Sequence, residues 1–359
     1  MKIIFVTRYS GNLNTLWMEN NFIDELSRSD IKITIFKIYD SGSNIQLLDD
    51  SMMGSDMLIS DLLDDYLTEE LIGRFELYKN PKLLIAFDNL SIPFQHRKSS
   101  KIYDLMWLTS KETEELIKGY GANTIFMPYA ANPYIPFEAR ASRIPGVSFV
   151  GSVYGARKSQ LASIAKSGFN VNLYTNNIHT QESLPLKNFL SNKQIFRAYE
   201  YTKFSIGRKC LLAALIKSFK NGNENLDDIE NIKQCPPLDY FEIPGIYRNS
   251  DFCLNVSELW NTYVLKNPVH KLHLRTFEIP MFGGAQLCKN NPEIREYFEN
   301  GKEILLYENQ AEMVGILEKY SRSDMANSIE EIKTNARKRS CAEHTWLKRF
   351  KKIFNVLGL

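Results

Sequence analysis

The sequence predicts an α/β protein of two doubly wound domains facing a cleft, and three observations carry that prediction. Strand-length apolar runs alternate with amphipathic stretches of helical period. A proline-rich, aperiodic segment interrupts them, and beyond it the alternation restarts with its own strand, loop and helix. A length of 359 residues also exceeds what one hydrophobic core usually organises.

In chain order, "KIIFV" (residues 2–6) reads as a buried strand, "TRYSGNLN" (7–14) as the loop after it and "LWMENNFIDELSR" (16–28) as a helix. "IKITIFKIY" (31–39) is the next strand, "DMLISDLLDDYLTEELIGRFELY" (56–78) has helical spacing, and "KLLIAF" (82–87) is apolar and strand-length. "DLMWLTS" (104–110) and "NTIFMPY" (123–129) repeat the theme around the helix "KETEELIKGYG" (111–121). Strands separated by helices pair in parallel through right-handed crossovers, so residues 1–133 form a predicted Rossmann-like domain. Four prolines from Pro128 to Pro145 then place a linker at 134–145.

"VSFVGS" (147–152), "RKSQLASIAKSG" (157–168) and "FNVNLYT" (169–175) open a second βαβ unit. A mostly polar, helix-rich section runs to Asp239, after which "IYRNS", "DFCLNVS", "AQLCKN", "PEIREYFENG" and "EILLYE" resume the alternation. The second Rossmann-like domain is predicted over 146–330 and a closing helix over 331–359. In open parallel sheets ligands bind at the carboxyl ends of the strands.

Composition excludes several classes. With 44 basic and 42 acidic residues the net charge of +2 gives no footprint for broad nucleic-acid binding. Cys210, Cys235, Cys253, Cys288 and Cys341 are far apart and form no CxxC pair, which favours reduced thiols over a disulfide framework or zinc site. The opening "MKIIFVTRYSG" has too short an apolar run for a signal peptide, and no segment approaches the ~20 apolar residues that cross a bilayer. A cytoplasmic, soluble enzyme is expected.

The loop "TRYSGNLN" lacks the G-x-G-x-x-G of a dinucleotide site and the GKS/GKT of a P-loop, against a dehydrogenase, methyltransferase or NTPase. Gly11 either lets the backbone turn or leaves room for a ligand. "FVGSVYGARK" brings Gly151, Ser152, Gly155, Arg157 and Lys158 to a strand-to-helix turn, which suits a phosphate or is an ordinary solvated turn. In "HKLHLRTFEIPMFGG", a helix from Lys271 would set Lys271 and Arg275 four apart with Glu278 three beyond. That is either a surface ion-pair ladder or an anion site. Cations opening a helix oppose its dipole, and a bound anion would reverse the penalty. Asp88, directly after "KLLIAF", is placed for a cleft loop as a base or serves as a turn cap, while His96 reads as a solvated loop histidine. Five scattered histidines without H-x-x-x-H make no metal case.

The stretch "RTFEIPMFGGAQLCKNNPEIREYFENGKEILLYENQAEM" (275–313) resembles the C-terminal domain of GT-B glycosyltransferases, of the CgeB-like, group 1 type. "FVGSVYGARK", "FMPYAANP" and "PPLDYFEIPGIYRNSDFCLNVS" fit the same family, and "HTWLKRFKKIF" is similar to its helix that crosses back onto the first domain. The motifs cover roughly residues 124–180 and 236–350, while the first domain matches mainly in its alternation.

The resemblance implies a GT-B fold and transfer of a sugar from a nucleotide-sugar donor to a glycan, lipid-linked saccharide or protein acceptor. The donor would lie on the C-terminal domain and the acceptor on the N-terminal one. It places Glu278 on the donor ribose, Arg157, Arg275 and Lys271 on the diphosphate, and Tyr174 near base or ribose. Gly151 and Ser152 form the phosphate-side turn, and Gly283 and Gly284 turn the chain back close to the ligand. No D-x-D triplet occurs, so no metal and no cofactor beyond the donor is expected. Retaining relatives carry a glutamate eight positions before the ribose-binding one; here that position is His270, which leaves the stereochemical outcome open. Asp88 and His270 are the catalytic candidates. The alternative is a GT-B-like binding module without activity. In the terminal helix Trp346, Phe350 and Phe354 share a face ringed by basic residues, suited to docking on the first domain or to peripheral contact at the inner face of the membrane.

Overall fold

β1 (Lys2–Arg8) is buried from Ile3 to Thr7 on both faces, as a central strand covered by helices on each side must be. The computed structural model describes residues 1–8, 17–39, 44–87, 89–136, 142–175, 192–219 and 226–359. The chain divides into two compact units: Met1–Tyr134 with Thr345–Leu359, and Ile135–His344.

In the first unit β1 is joined by β2 (Lys32–Ile38), β3 (Met57–Ser60), β4 (Lys82–Ala86), β5 (Leu105–Leu108) and β6 (Thr124–Phe126). All pairs are parallel and the strand order is β2-β1-β3-β4-β5-β6. Helices α1 (Asp24–Ser27), α2 (Leu48–Met52), α3 (Glu69–Leu77) and α4 (Glu114–Lys118) make the crossovers. The stretch 56–78, expected as one helix, is a strand, a turn and then α3. Met57–Ser60 is buried on every side chain, and such a continuous apolar run has no period to separate strand from helix. Thr68 starts α3 by accepting from the Leu71 N–H at 3.2 Å. His96, expected in a solvated loop, is buried in the turn Pro93–His96.

The last helix, here numbered α12 (Trp346–Leu357), belongs to this unit. Trp346, Phe350, Ile353 and Phe354 are buried, with ring centroids of Trp346 and Phe350 at 5.9 and 5.5 Å from Phe22 and 5.8 and 5.4 Å from Trp107. Glu25 of α1 accepts the first free helix N–H groups, from Trp346 at 2.9 Å and Leu347 at 3.1 Å. The apolar face that also suited a membrane surface is therefore spent inside the unit. Lys351 and Lys352 lie on the exposed side.

The second unit holds β7 (Ile144–Val150), β8 (Val171–Tyr174), β9 (Ile232–Cys235), β10 (Ser250–Asn255), β11 (Gln286–Lys289) and β12 (Leu305–Tyr307). The order is β12-β11-β10-β7-β8-β9, all parallel. Its helices are α5 (Ala156–Lys166), α6 (Asn192–Thr202), α7 (Ser205–Phe219), α8 (Ile243–Asn249), α9 (Arg275–Met281), α10 (Gln310–Tyr320) and α11 (Ala326–Glu343). β9 falls in the section read as helix-rich; it is a half-exposed edge strand with no apolar alternation to announce it. Counted from β7, the sheet has the doubly wound nucleotide-binding order, reversing between β7 and β10.

The unit boundary at 344/345 is later than the expected 330/331 because α11 is held by the second unit. Arg337 Nη1 donates to Met281 O at 2.9 Å, and the His344 ring lies edge-on to Phe277 and Phe298 at 5.4 and 5.0 Å. The five cysteines are free thiols. No described helix is long and apolar enough to cross a membrane.

Replacing Trp346 by Ala removes the plug between α12 and the first sheet. Denaturant unfolding of the variant is expected to show a loss of about 3–5 kcal/mol, the range for a fully buried aromatic.

Candidate functional site

The strand order places the ligand crevice of the second unit at the carboxyl ends of β7 and β10, and the predicted basic residues converge there. Gly151 ends β7 with φ +132°, and a Cβ built on it would sit 2.4 Å from Arg275 Nη2. Only glycine lets the Arg275 guanidinium lie across this turn. Gly155, at φ +57°, opens α5 against the Trp260 carbonyl, where a Cβ would fall 2.3 Å from the oxygen. Two glycines thus draw the loop after β10 and the start of α9 onto the turn after β7.

Arg157 and Arg275 meet over one ring. Their guanidinium carbons lie 5.8 and 5.1 Å from the Phe149 centroid, and Arg157 also covers Tyr154 at 4.0 Å. Arg157 Nη1 donates to Ser152 O at 2.6 Å, while Arg157 Nε and Arg275 Nη1 are buried with no hydrogen-bond partner among the described residues. Burial, reinforced by the neighbouring Arg275, lowers the Arg157 pKa to about 10, so both remain charged at neutral pH. Two partly desolvated cations with donors to spare are costly unless an anion joins them.

Around this pair stand three further groups. The Glu278 carboxyl, one turn into α9, is raised to about 7 by burial against the lowering effects of Arg275 and a hydrogen bond from Tyr240. Tyr247, buried and itself hydrogen-bonded to Arg275, is pushed well above its ordinary value by burial and by Glu278. Burial and the cations Lys271, Arg157 and Arg275 hold His273 well below the usual imidazole range, hence neutral. Tyr174 ends β8, where its carbonyl accepts from the Gly151 N–H at 2.9 Å.

The expected helix from Lys271 is not formed. α9 begins at Arg275, and residues 270–274 run as a bridge and turn. Lys271 and Arg275 therefore share no helical face. Lys271 is buried, and its N–H donates to Ser257 O at 2.8 Å because His270 pairs with Glu258 in an antiparallel bridge. The cations are assembled across two loops, and the helix-dipole argument does not carry the site.

Gly283 and Gly284 are also elsewhere. They follow α9 at its far end, next to the amino end of β11, where a Cβ on Gly284 would fall 2.8 Å from Ile279 Cγ2 and 2.9 Å from Tyr247 O. Gly283, at φ +74°, lines a separate cavity of about 720 Å³ with Arg248 and Arg337. Both glycines serve the helix-to-strand turn and have no place at the carboxyl-end crevice.

His270 Nδ1 lies 2.9 Å from Ser257 Oγ, and burial lowers its pKa against the opposing pull of Glu258. Glu258, three residues past β10, is buried; its Oε1 accepts from Gln160 at 3.0 Å and faces Lys289 Nζ at 3.5 Å, while Oε2 has no described partner. Sequence reasoning passed over Glu258, although an acidic residue just beyond the carboxyl end of a strand is the available signal. Among the described residues no group of three or more His, Cys, Asp and Glu is placed to hold a metal ion.

In the first unit the sheet order reverses between β1 and β3. Asp61 follows β3 there, hydrogen-bonded by Thr7 of β1, with its carboxyl raised to about 6 by loss of hydration and Oδ1 buried without a described partner. Reading 56–78 as a single helix hid this position. Asp88 and Gly11 lie outside the described residues.

Residues 200–355 match a family model described as glycosyl transferase-like. No curated protein matches the sequence. Among solved structures, HepE of Anabaena in complex with UDP-glucose is 12% identical with a TM-score of 0.58, covering 100% of this chain and 99% of that one. A glycosyltransferase from Rickettsia africae is 13% identical with a TM-score of 0.57, over 99% and 97% of the two chains. Sucrose-phosphate synthase from Thermosynechococcus elongatus is 10% identical with a TM-score of 0.54, over 99% of each. The match makes residues 200–355 glycosyl transferase-like, and the likeness to these structures gives the chain the two-domain α/β fold they share, GT-B.

Proposed function

We propose that the protein transfers a sugar from a nucleotide-sugar donor to an acceptor hydroxyl on a glycan, lipid-linked saccharide or protein. The observation that carries this reading is the pair of guanidiniums, Arg157 and Arg275, on Phe149 at the switch point of the second sheet, each with a buried nitrogen still free to donate. A diphosphate supplies the missing anion. Glu278, one turn from Arg275, would accept from ribose hydroxyls. In the reaction the acceptor oxygen bonds to the anomeric carbon, the bond from that carbon to the diphosphate oxygen breaks, and the nucleoside diphosphate leaves with the added negative charge. The two guanidiniums stabilise that charge as it develops. This compensation supports a metal-independent reaction.

The acceptor proton needs a base. Asp61, at the first unit's switch point and titrating near 6, is proposed for that role, and His270 is the candidate on the donor side. Asp61→Asn is expected to lower kcat by about a hundredfold or more while donor affinity is unchanged. Equal kcat in the variant removes Asp61 from the mechanism.

The founding experiment is a thermal-shift screen against UDP-, GDP-, CMP- and dTDP-sugars. Uridine comes first because HepE binds UDP and UDP-glucose. One nucleotide should raise the unfolding temperature selectively, and Arg157→Ala or Arg275→Ala should weaken it about 10–100-fold. No stabilisation by any of them sinks the reading. Binding without transfer or donor hydrolysis selects the inactive module.

Glu278 also has a pH signature in the ligand-free protein. Its folded pKa, about 7, lies above the ordinary 4.5, so the folded state keeps its proton longer than the unfolded chain. Its contribution is complete below about pH 4.5 and falls by about 3 kcal/mol as pH rises through 7. The stability difference between wild type and Glu278→Gln, measured by denaturation across that window, should shrink in that direction.

A further inference from the structure

Sixteen large apolar side chains are exposed among the described residues, and six of them fall between Ile195 and Phe219. There α6 and α7 pack on one another, and α7 rests on the turn Thr262–Val264. The inner face of α7 is Ile206, Gly207 and Ala213, all buried. Leu212, Leu215 and Phe219, spaced three and four apart, look the opposite way at 51%, 54% and 79% exposure. On α6, Ile195 and Tyr199 are one turn apart and 54% and 59% exposed. Single exposed apolar residues are ordinary on any surface; a concentration of them on two adjacent helices marks an interaction face.

Charge says what fits this face. Between Ile195 and Phe219 stand Arg197, Lys203, Arg208, Lys209 and Lys217 against a single acid, Glu200, in a chain whose net charge is only +2. Glu200 is buried and ion-paired with Lys203 at 2.7 Å, which leaves the positive charge of Arg197, Arg208, Lys209 and Lys217 around the apolar residues. Arg197, Arg208 and Lys209 are exposed. A second copy of the same face would meet it with like charge. An anionic bilayer offers both things the face needs: acyl chains for the apolar side chains and phosphates for the cations.

We propose that α6 and α7 form a peripheral docking element for an anionic phospholipid surface. The element lies on the bilayer and does not span it, in keeping with helices too short and too polar to cross. The inference stands on exposure and charge, independently of the donor site. It also moves membrane contact away from α12, whose apolar face is covered by the first sheet.

The test is flotation of the full-length protein with phosphatidylcholine vesicles, with and without phosphatidylglycerol. The protein should float with the anionic vesicles only and be released as salt rises. The triple variant Leu212→Ser, Leu215→Ser, Phe219→Ser and the double variant Arg208→Glu, Lys209→Glu should each lower the vesicle partition about tenfold or more. Lys351→Glu with Lys352→Glu on α12 should leave it unchanged. All of these positions are exposed, and thermal unfolding checks that each variant keeps its fold. Three results overturn the proposal: no flotation with anionic vesicles, equal flotation with neutral ones, or wild-type partition in both α7 variants. Dimerisation without vesicles, abolished by the triple variant, would assign the face to a second copy and overturn it as well.

Discussion

Two like charges held side by side set the terms for the rest of the second unit. Arg157 and Arg275 share the face of Phe149, and neither can shed its proton at neutral pH to relieve the repulsion. The backbone accepts their crowding only because Gly151 offers no side chain at the point of contact. Their field reaches the neighbours. It adds to the burial and the Lys271 charge that keep His273 neutral, and through Arg275 it only partly offsets the burial that leaves Glu278 titrating near neutrality. The site is a set of groups displaced from their ordinary ionisation, resting on the absence of one Cβ.

The sheet order explains why these groups meet. Reversal between β7 and β10 opens a crevice at their carboxyl ends, and each loop around it is drawn in by a specific contact. Gly155 lies on the Trp260 carbonyl, Lys271 N–H reaches Ser257 O, and Gln160 links Glu258 to the Tyr307 hydroxyl, the latter at 2.5 Å. Gly283 and Gly284 illustrate the converse. They sit within a few residues of Arg275 in sequence, yet a seven-residue helix carries them to the amino end of the strands. Nearness along the chain is poor evidence of nearness at a site once a helix intervenes.

The first unit solves a different problem, that of closing a core with the end of the chain. Trp346 and Phe350 fill the space between Phe22 and Trp107, and Glu25 satisfies the N–H groups that the start of α12 leaves free. The same amphipathic period would have served a membrane. On α7, Leu212, Leu215 and Phe219 are exposed, and there the surrounding charge is strongly basic. The apolar side chains of the two helices thus differ in what lies against them.

Periodicity and punctuation in the sequence by themselves determined the two α/β domains, most strands and the restart at "VSFVGS", and the residue types there made Arg157, Arg275 and Glu278 candidates. These are local properties: a strand-length apolar run, a proline cluster or an arginine after a glycine turn is legible without knowing its neighbours. Tertiary structure alone decided the rest. It split 56–78 into strand and helix, exposing Asp61 at a switch point. It started α9 at Arg275 instead of Lys271, moved Gly283 and Gly284 to the amino end of β11, and brought Glu258 against His270. The physical reason is common to all of these. Burial, electrostatic shift and approach between loops depend on which strands are adjacent, and adjacency in a parallel sheet is set by crossovers that leave no local mark in the residues they bring together.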